Sequence, residues 1–244
     1  MRLAWRAELL KIATVRGLWI GAIFATAAMP LTSLLVAATG RLDAADTLTT
    51  GAATGSVVGL LAYGVWGAAF AAGEYARGTI VVSLATVPRR PVLFAAKIGA
   101  VAAVAGVGSL LCATTALLGV LAVTPSDQHT LGNPGVLAGV VLVLVTVTVV
   151  GAAVGIITRS PSAAIAIVAV AVLLPNVAGG LLGRFQPWVV GASPGTVISQ
   201  IVGGTQLPTT QTFPAGTWAA AASMVLVAAA VGAAAAIALI RRDG

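Results

Sequence analysis

Charged side chains are scarce in this sequence, at 8% of residues against 59% that are apolar. Soluble domains carry about 25% charged residues, so the composition excludes an ordinary soluble protein. The mean hydropathy of +1.07 indicates a membrane protein whose architecture is set by the lengths of its apolar runs.

Cysteine and lysine are also rare. The single cysteine, Cys112, excludes a disulfide framework and offers no metal-ligand spacing. The two lysines, Lys11 and Lys97, do not follow a glycine, so the chain lacks the G-x-x-x-x-G-K-[ST] loop that cradles nucleotide phosphates. We therefore expect no enzyme activity, no catalytic residue, no cofactor and no metal in this chain itself.

Long apolar runs make up most of the chain, and a membrane-spanning helix needs about 20 such residues. They predict an all-α polytopic membrane protein, a single domain over residues 1–244 with six transmembrane helices. Ser160 as N-cap and Pro161 at the first helical position would start the fifth helix. The predicted spans are Leu18–Gly40, Thr54–Gly73, Ile98–Val123, Val136–Ile157, Pro161–Leu182 and Trp218–Ile240.

The cations are distributed unequally between the two ends of these spans. Six spans place both termini on one side, and all of the Lys and Arg residues except Arg41 and Arg184 then fall on that side. By the positive-inside rule that side is cytoplasmic. The net charge of +7 is thereby explained by orientation and by contact with membrane lipid, and no nucleic-acid partner is expected. We expect a bacterial inner (plasma) membrane location with both termini in the cytoplasm.

Two further segments complete the predicted architecture. Residues 2–17 place Trp5, Leu9 and Ile12 on one helical stripe, which predicts an amphipathic helix at the membrane interface with snorkelling cations. A cleaved signal peptide is disfavoured because Leu18–Gly40 is longer than the apolar region of such peptides. Residues 185–215 are uncharged but rich in Pro and Gln, so Trp188–Gly204 is predicted to form re-entrant helices on the outer side.

The predicted spans contain no Asp, Glu, His or Lys, which disfavours a proton- or ion-coupled carrier. Ser and Thr within them are expected to bond the preceding turn. Asn176, beside Pro175, marks a break in the fifth span and is a candidate for lining a path. Glycine pairs four apart predict close helix packing without locating a dimer face.

The segment from Gly73 to Lys97 holds one acid and four cations around an apolar run too short to cross a bilayer. At 25 residues it is longer than orientation requires, since Thr158–Pro161 makes the other cytoplasmic turn with four. In a chain without a nucleotide-binding loop of its own, an ordered cytoplasmic element suggests a docking surface for a separate protein that hydrolyses nucleotide. The alternative is a solvated loop whose charges only set orientation.

The same segment resembles the region between the second and third spans of ATP-binding cassette (ABC) permeases of the type 2 export family. Its Glu74, Gly78-Thr79, short apolar stretch, Pro88, Arg89-Arg90 and Lys97 follow that family's pattern. The opening ELLKIATVRGLWI is similar to the family's interface helix, and Trp188–Gly204 to its re-entrant helices.

The resemblance implies a permease that pairs with a second permease, identical or different, and with two ATP-binding subunits that bind ATP and Mg. Residues 74–91 would be a cytoplasmic coupling helix, with the ATPase interface at Glu74, Tyr75, Arg77, Gly78, Thr79, Pro88, Arg89 and Arg90. A second contact would lie at Arg6, Glu8, Lys11 and Arg16. The cargo would be amphipathic: a drug, as in multidrug resistance, an antibiotic, a lipid or a glycan. Two alternatives remain, a carrier or channel acting alone and a membrane anchor that recruits another protein.

Overall fold

The computed structural model describes residues 2–40, 42, 46–87, 89–125, 130–133, 135–203, 208 and 210–242, apart from the side chains of residues 176, 178 and 242. The described residues are all-helical, without a β-strand. The α-helices, in chain order, are α1 Arg2–Thr14, α2 Arg16–Ala38, α3 Leu48–Ala53, α4 Ser56–Ala76, α5 Ile80–Thr86, α6 Arg90–Val123, α7 Gly135–Thr158, α8 Pro161–Ala178, α9 Gln186–Val189, α10 Pro194–Val202 and α11 Thr217–Arg242.

Five helical stretches in the described part of the chain are long and apolar enough to cross a membrane. They are α2, the stretch Leu48–Ala76 that joins α3 to α4, then α6, α7 and α11. Five of the six predicted spans coincide with these helices to within three residues, except at two starts: the second stretch begins at Leu48, six residues before the predicted Thr54, and α6 also begins early. That helix begins at Arg90, eight residues before the predicted Ile98, because Pro91 fits the first turn of a helix. Lys97 therefore lies inside α6.

A sixth crossing depends on a bent pair of helices. The stretch Pro161–Pro175 and the stretch Gly179–Val189 meet at 69°, and a 3₁₀-helix, Gly179–Phe185, joins α8 to α9. Counted as one span, the pair raises the number of candidate crossings to six. The bend falls where the sequence predicts a break, between Pro175 and the glycines that follow.

The N-terminus of α8 differs from the prediction in one detail. Ser160 has the extended backbone of an N-cap residue, but its side chain makes no capping hydrogen bond. Its hydroxyl lies 3.1 Å from the hydroxyl of Ser162 instead. Arg159 precedes it with a φ of 57°, and this left-handed residue allows α7 and α8 to connect within two residues.

Helix α4 lies at the centre of the bundle and packs against α2, α7 and α8. Glycines let α4 and α7 approach closely: a Cβ added to Gly67 would lie 2.2 Å from the carbonyl oxygen of Thr148. A Cβ on Gly151 would lie 2.2 Å from the carbonyl oxygen of Gly64. The pair Gly151/Gly155 therefore serves packing within this chain, and any larger residue would force the two helices apart.

The charged ends of several helices meet at one end of the bundle. Arg90 at the start of α6 donates a hydrogen bond of 2.7 Å to the carbonyl of Ile240 at the end of α11. Arg159, before α8, lies over the ring of Tyr75 at the end of α4, with 5.2 Å between the guanidinium carbon and the ring centroid. We call this the basic end of the bundle. Helices α9 and α10 are each too short to cross a bilayer.

Candidate functional site

Four elements meet at the basic end of the bundle and bring together charges that are far apart in sequence. Glu8 and Lys11 lie on α1, Glu74 in the last turn of α4, Ser83 on α5 and Lys97 two turns into α6. We call these five residues the ionic cluster. It contains both glutamates and both lysines of the whole sequence.

The four charges form a closed ring in which each cation contacts both acids. Lys11 Nζ lies 2.7 Å from Glu8 Oε1 and 3.0 Å from Glu74 Oε1. Lys97 Nζ lies 2.6 Å from Glu74 Oε1 and 3.2 Å from Glu8 Oε2. Opposite charges therefore alternate around the ring, and its formal charge is zero.

Ser83 joins the surface helix α5 to this ring. Its Oγ accepts a hydrogen bond of 2.9 Å from Lys11 Nζ and donates one of 3.3 Å to Glu74 Oε2. Ser83 and Ile80 are the buried residues of α5, so one polar and one apolar side chain anchor this seven-residue helix. Lys97 Nζ also lies 5.7 Å from the centroid of the Phe70 ring, which adds a cation–π contact.

Burial makes the cluster sensitive to any change of charge. Glu8, Glu74 and Lys97 are respectively 2%, 4% and 2% exposed, whereas Lys11 is half-buried. Burial alone would lower the pKa of Lys11, but the hydrogen bond to Glu8 and the charges of Glu74 and Glu8 outweigh it and raise that pKa above its ordinary value. Lys11 is therefore a cation at neutral pH. An isolated buried charge is costly, so each member of the ring needs its neighbours.

The predicted interface residues divide into a buried set and an exposed set. Glu8 and Glu74 lie inside the cluster, with their carboxylates buried. Glu8 is three residues after Trp5 and four before Ile12, so it lies on the face of α1 that carries the predicted apolar stripe. Tyr75 and Arg90 are half-buried and contact Arg159 and Ile240 as described above. The exposed set is Arg6, Arg16, Arg77, Gly78, Thr79 and Arg89.

Two of the predicted residues cannot be placed in the same detail. Pro88 lies outside the described residues. Asn176 belongs to α8, near the bend that follows Pro175, and its side chain is likewise not described. The candidate role of Asn176 in a path stays a prediction.

Helix α5 presents an apolar surface away from the cluster. Val81 and Val82 are 67% and 64% exposed, on the side opposite Ile80 and Ser83. The turn before α5 contains the exposed Arg77, Gly78 and Thr79, and Gly78 has a φ of +67°, which only glycine adopts without strain. We call Arg77–Thr79 together with Val81 and Val82 the α5 surface.

Sequence reasoning did not predict the involvement of Ser83 and Lys97 in this cluster. The sequence does contain a usable signal, because its only two glutamates and only two lysines all lie near the ends of predicted spans. Their mutual pairing depends on contacts between residues up to 89 positions apart, which no local pattern specifies.

The ion pairs and hydrogen bonds of the cluster connect α1, α4, α5 and α6 to one another. Carboxylates and ammonium groups are paired with each other, and no group of three or more His, Cys, Asp or Glu able to hold a metal occurs among the described residues.

No protein-family model matches this sequence, and a comparison with curated proteins gives no match either.

Proposed function

We propose that this chain is the membrane-spanning permease subunit of an ABC exporter, which forms the translocation path and couples it to a separate ATPase. The observation that carries the proposal is the ionic cluster, because it ties the α5 surface to two long membrane helices. A force applied to α5 from outside would pass through Ser83 to Glu74 on α4 and Lys97 on α6.

The proposed topology places the basic end of the bundle in the cytoplasm of a bacterial cell, in the inner (plasma) membrane. Six crossings, with the bent α8–α9 pair as the fifth, would return both termini to that side. Support comes from the contacts that join α1, α4, α5, α6, α8 and α11 at the basic end, since cations accumulate on the cytoplasmic side. Helices α9 and α10 would form the re-entrant region on the outer side.

In this proposal the predicted interface residues have two different roles. Glu74, Glu8 and Lys11 are positioning residues that hold α5 and α1 against the spans. The α5 surface, with Arg89 and the exposed Arg16, would meet the ATPase. Exposed valines flanked by cations resemble the apolar core and polar rim of a protein interface. ATP and Mg would bind to the partner, a second permease would complete the assembly, and an amphipathic compound would be the cargo.

The experiment that tests the proposal is purification from native membranes in a mild detergent, followed by mass spectrometry of the proteins that co-elute. We expect a partner whose sequence contains the G-x-x-x-x-G-K-[ST] loop. A second six-span partner would identify a heterodimer of permeases. If the chain elutes without such an ATPase under conditions that preserve a known ABC complex from the same membranes, the proposal is wrong, and transport by this chain alone in liposomes becomes the next test.

A further inference from the structure

A deep apolar groove runs along one flank of the bundle, beside the interface helix α1. Its volume is about 790 Å³, its walls are α2 and α6, and Tyr63 and Trp66 of α4 form its floor. Trp5 and Leu9 of α1 close the groove at the basic end. None of the residues of the ionic cluster lines it, so it is a separate site.

The groove offers an occupant almost no free polar group. The Thr26 hydroxyl donates a hydrogen bond of 2.9 Å to the carbonyl of Ala22 and lies 3.3 Å from the Tyr63 hydroxyl. Thr115 donates one of 2.7 Å to the carbonyl of Leu111, and the Trp66 indole donates one of 2.8 Å to the carbonyl of Leu18. Because these groups are paired within the protein, the surface suits a hydrocarbon chain.

The length of the groove matches one leaflet of a bilayer. Its lining extends from Ala22 to Leu31 on α2 and from Ala103 to Thr115 on α6. At 1.5 Å per residue these stretches are about 14 Å and about 18 Å long. Half of a hydrocarbon core of about 30 Å is about 15 Å. The length of the groove therefore fits an acyl chain from one leaflet.

Exposed cations lie at the closed end of the groove. Arg6 follows Trp5 in sequence and lines a smaller cavity, of about 370 Å³, that shares Leu9 with the groove. Arg2 and Arg6 are exposed, whereas both glutamates at this end are buried in the ionic cluster. The described surface here is positive, and each Lys or Arg near a membrane surface attracts anionic lipid by about 1 kcal/mol.

We propose that this groove is a binding site for one anionic phospholipid of the basic-side leaflet, with an acyl chain between α2 and α6 and its phosphate at Arg6. The lipid occupies the angle between α1 and the spans and so fixes the position of α1 next to the ionic cluster. The site does not depend on the exporter function proposed above, and its occupant is a resident bilayer lipid.

The test uses the full chain in nanodiscs of phosphatidylcholine containing one part in ten phosphatidylglycerol. The lipid that remains bound after release from the disc is identified by native mass spectrometry. We expect one phosphatidylglycerol per chain, in excess over its share of the bilayer. Retention of the two lipids in bilayer proportion, or retention of a compound that is not a phospholipid, would overturn the proposal.

Matched variants separate the two parts of the site. Val107→Trp fills the groove, whereas Leu110→Trp changes a similarly exposed residue of α6 outside it; Val107 and Leu110 are 64% and 58% exposed. Only Val107→Trp should lose the bound lipid. Arg6→Gln should lower the preference for phosphatidylglycerol about fivefold, and Arg184→Gln, an exposed arginine remote from α1, should not.

A second measurement leaves the α2, α4 and α6 lining of the groove unchanged and replaces only Trp5 among its lining residues. A variant that retains Trp66 as its only tryptophan reports on the groove floor, because Trp66 is only 4% exposed and lines the groove. Phosphatidylglycerol brominated on its acyl chains should quench this fluorescence more strongly than brominated phosphatidylcholine at the same fraction of the bilayer. Equal quenching by the two lipids would contradict headgroup selection.

Discussion

Glu74 contacts three other elements through its carboxylate: Lys11 on α1, Lys97 on α6 and Ser83 on α5. It lies in the last turn of α4, where negative charge is disfavoured by the helix dipole. Two nearby cations offset that effect. Glu74 therefore joins the spans to the elements at the basic end. Substitution of Glu74 should lower the stability of the fold first, and affect the binding of a partner only as a consequence.

At the residue scale, we predict that Glu74→Gln destabilises the protein by about 3–5 kcal/mol, because it leaves a buried charge uncompensated. Cys112 provides the measurement, since it is the only cysteine and is 0% exposed. A thiol-reactive fluorophore should label it at a lower temperature in the variant. Arg89→Gln, which alters an exposed cation, is the control and should leave the labelling temperature unchanged.

A double variant tests whether the ring acts as a unit. Glu74→Gln with Lys97→Met removes one acid and one cation, so Glu8 and Lys11 remain as a neutral pair. The double variant should lose less stability than the sum of the two single variants. Strictly additive losses would show that the four charges do not depend on each other.

At the scale of elements, α5 is held by a buried serine and isoleucine and presents two valines to the outside. This division predicts that substitutions on the two faces of α5 have different effects. Changes on the buried face should affect stability, and changes on the exposed face should affect only the proposed partner.

We predict that Val82→Asp abolishes coupling to the proposed ATPase without unfolding the chain. A carboxylate at this position stays hydrated in the isolated protein, but it would be desolvated where α5 meets an ATPase. Co-purification of the ATPase should fall at least about tenfold, while the temperature of Cys112 labelling stays unchanged. Val82→Thr, of similar volume and without charge, is the control.

The outcome of this experiment also separates the proposed roles of Glu74 and α5. If Val82→Asp retains the partner and transport, the α5 surface is not the docking site. If it lowers stability as Glu74→Gln does, α5 is more deeply packed than its exposure indicates.

At the scale of the whole molecule, the side on which α11 starts depends on whether the bent α8–α9 pair crosses the membrane. If it does, α11 starts on the side opposite α5; if it does not, α11 starts on the same side. The contact between Arg90 and the end of α11 favours the first arrangement, because it places the C-terminal end of α11 beside the start of α6.

We predict that cysteines introduced at Thr86 and Ala215 label from opposite sides. Both residues are exposed in the structure, and the experiment uses a Cys112→Ala background with a membrane-impermeant maleimide. In intact cells only Ala215→Cys should react, whereas Thr86→Cys should react after the membrane is opened. Protection of both positions in intact cells would exclude the six-span topology.

Several features of this protein are determined by the sequence alone. The ends of α2 and α7 lie within two residues of the predicted limits, and the short helix α5 falls inside the segment predicted to remain outside the bilayer. Apolar length and charge at the ends of a run are local properties, so they specify which residues form membrane helices. Pro175 and the glycines after it likewise predict the bend between α8 and the stretch that follows it.

The partners of the charged residues are decided only by the tertiary structure. Periodicity indicated an apolar stripe on α1, yet the buried face contains Glu8 together with Ile12. Glu8 is placed there by Lys97, and Lys11 is paired with Glu74, over separations of 89 and 63 residues. The sequence specifies each helix through local free energies, but a buried charge is stable only where the packing of distant helices supplies its counter-charge.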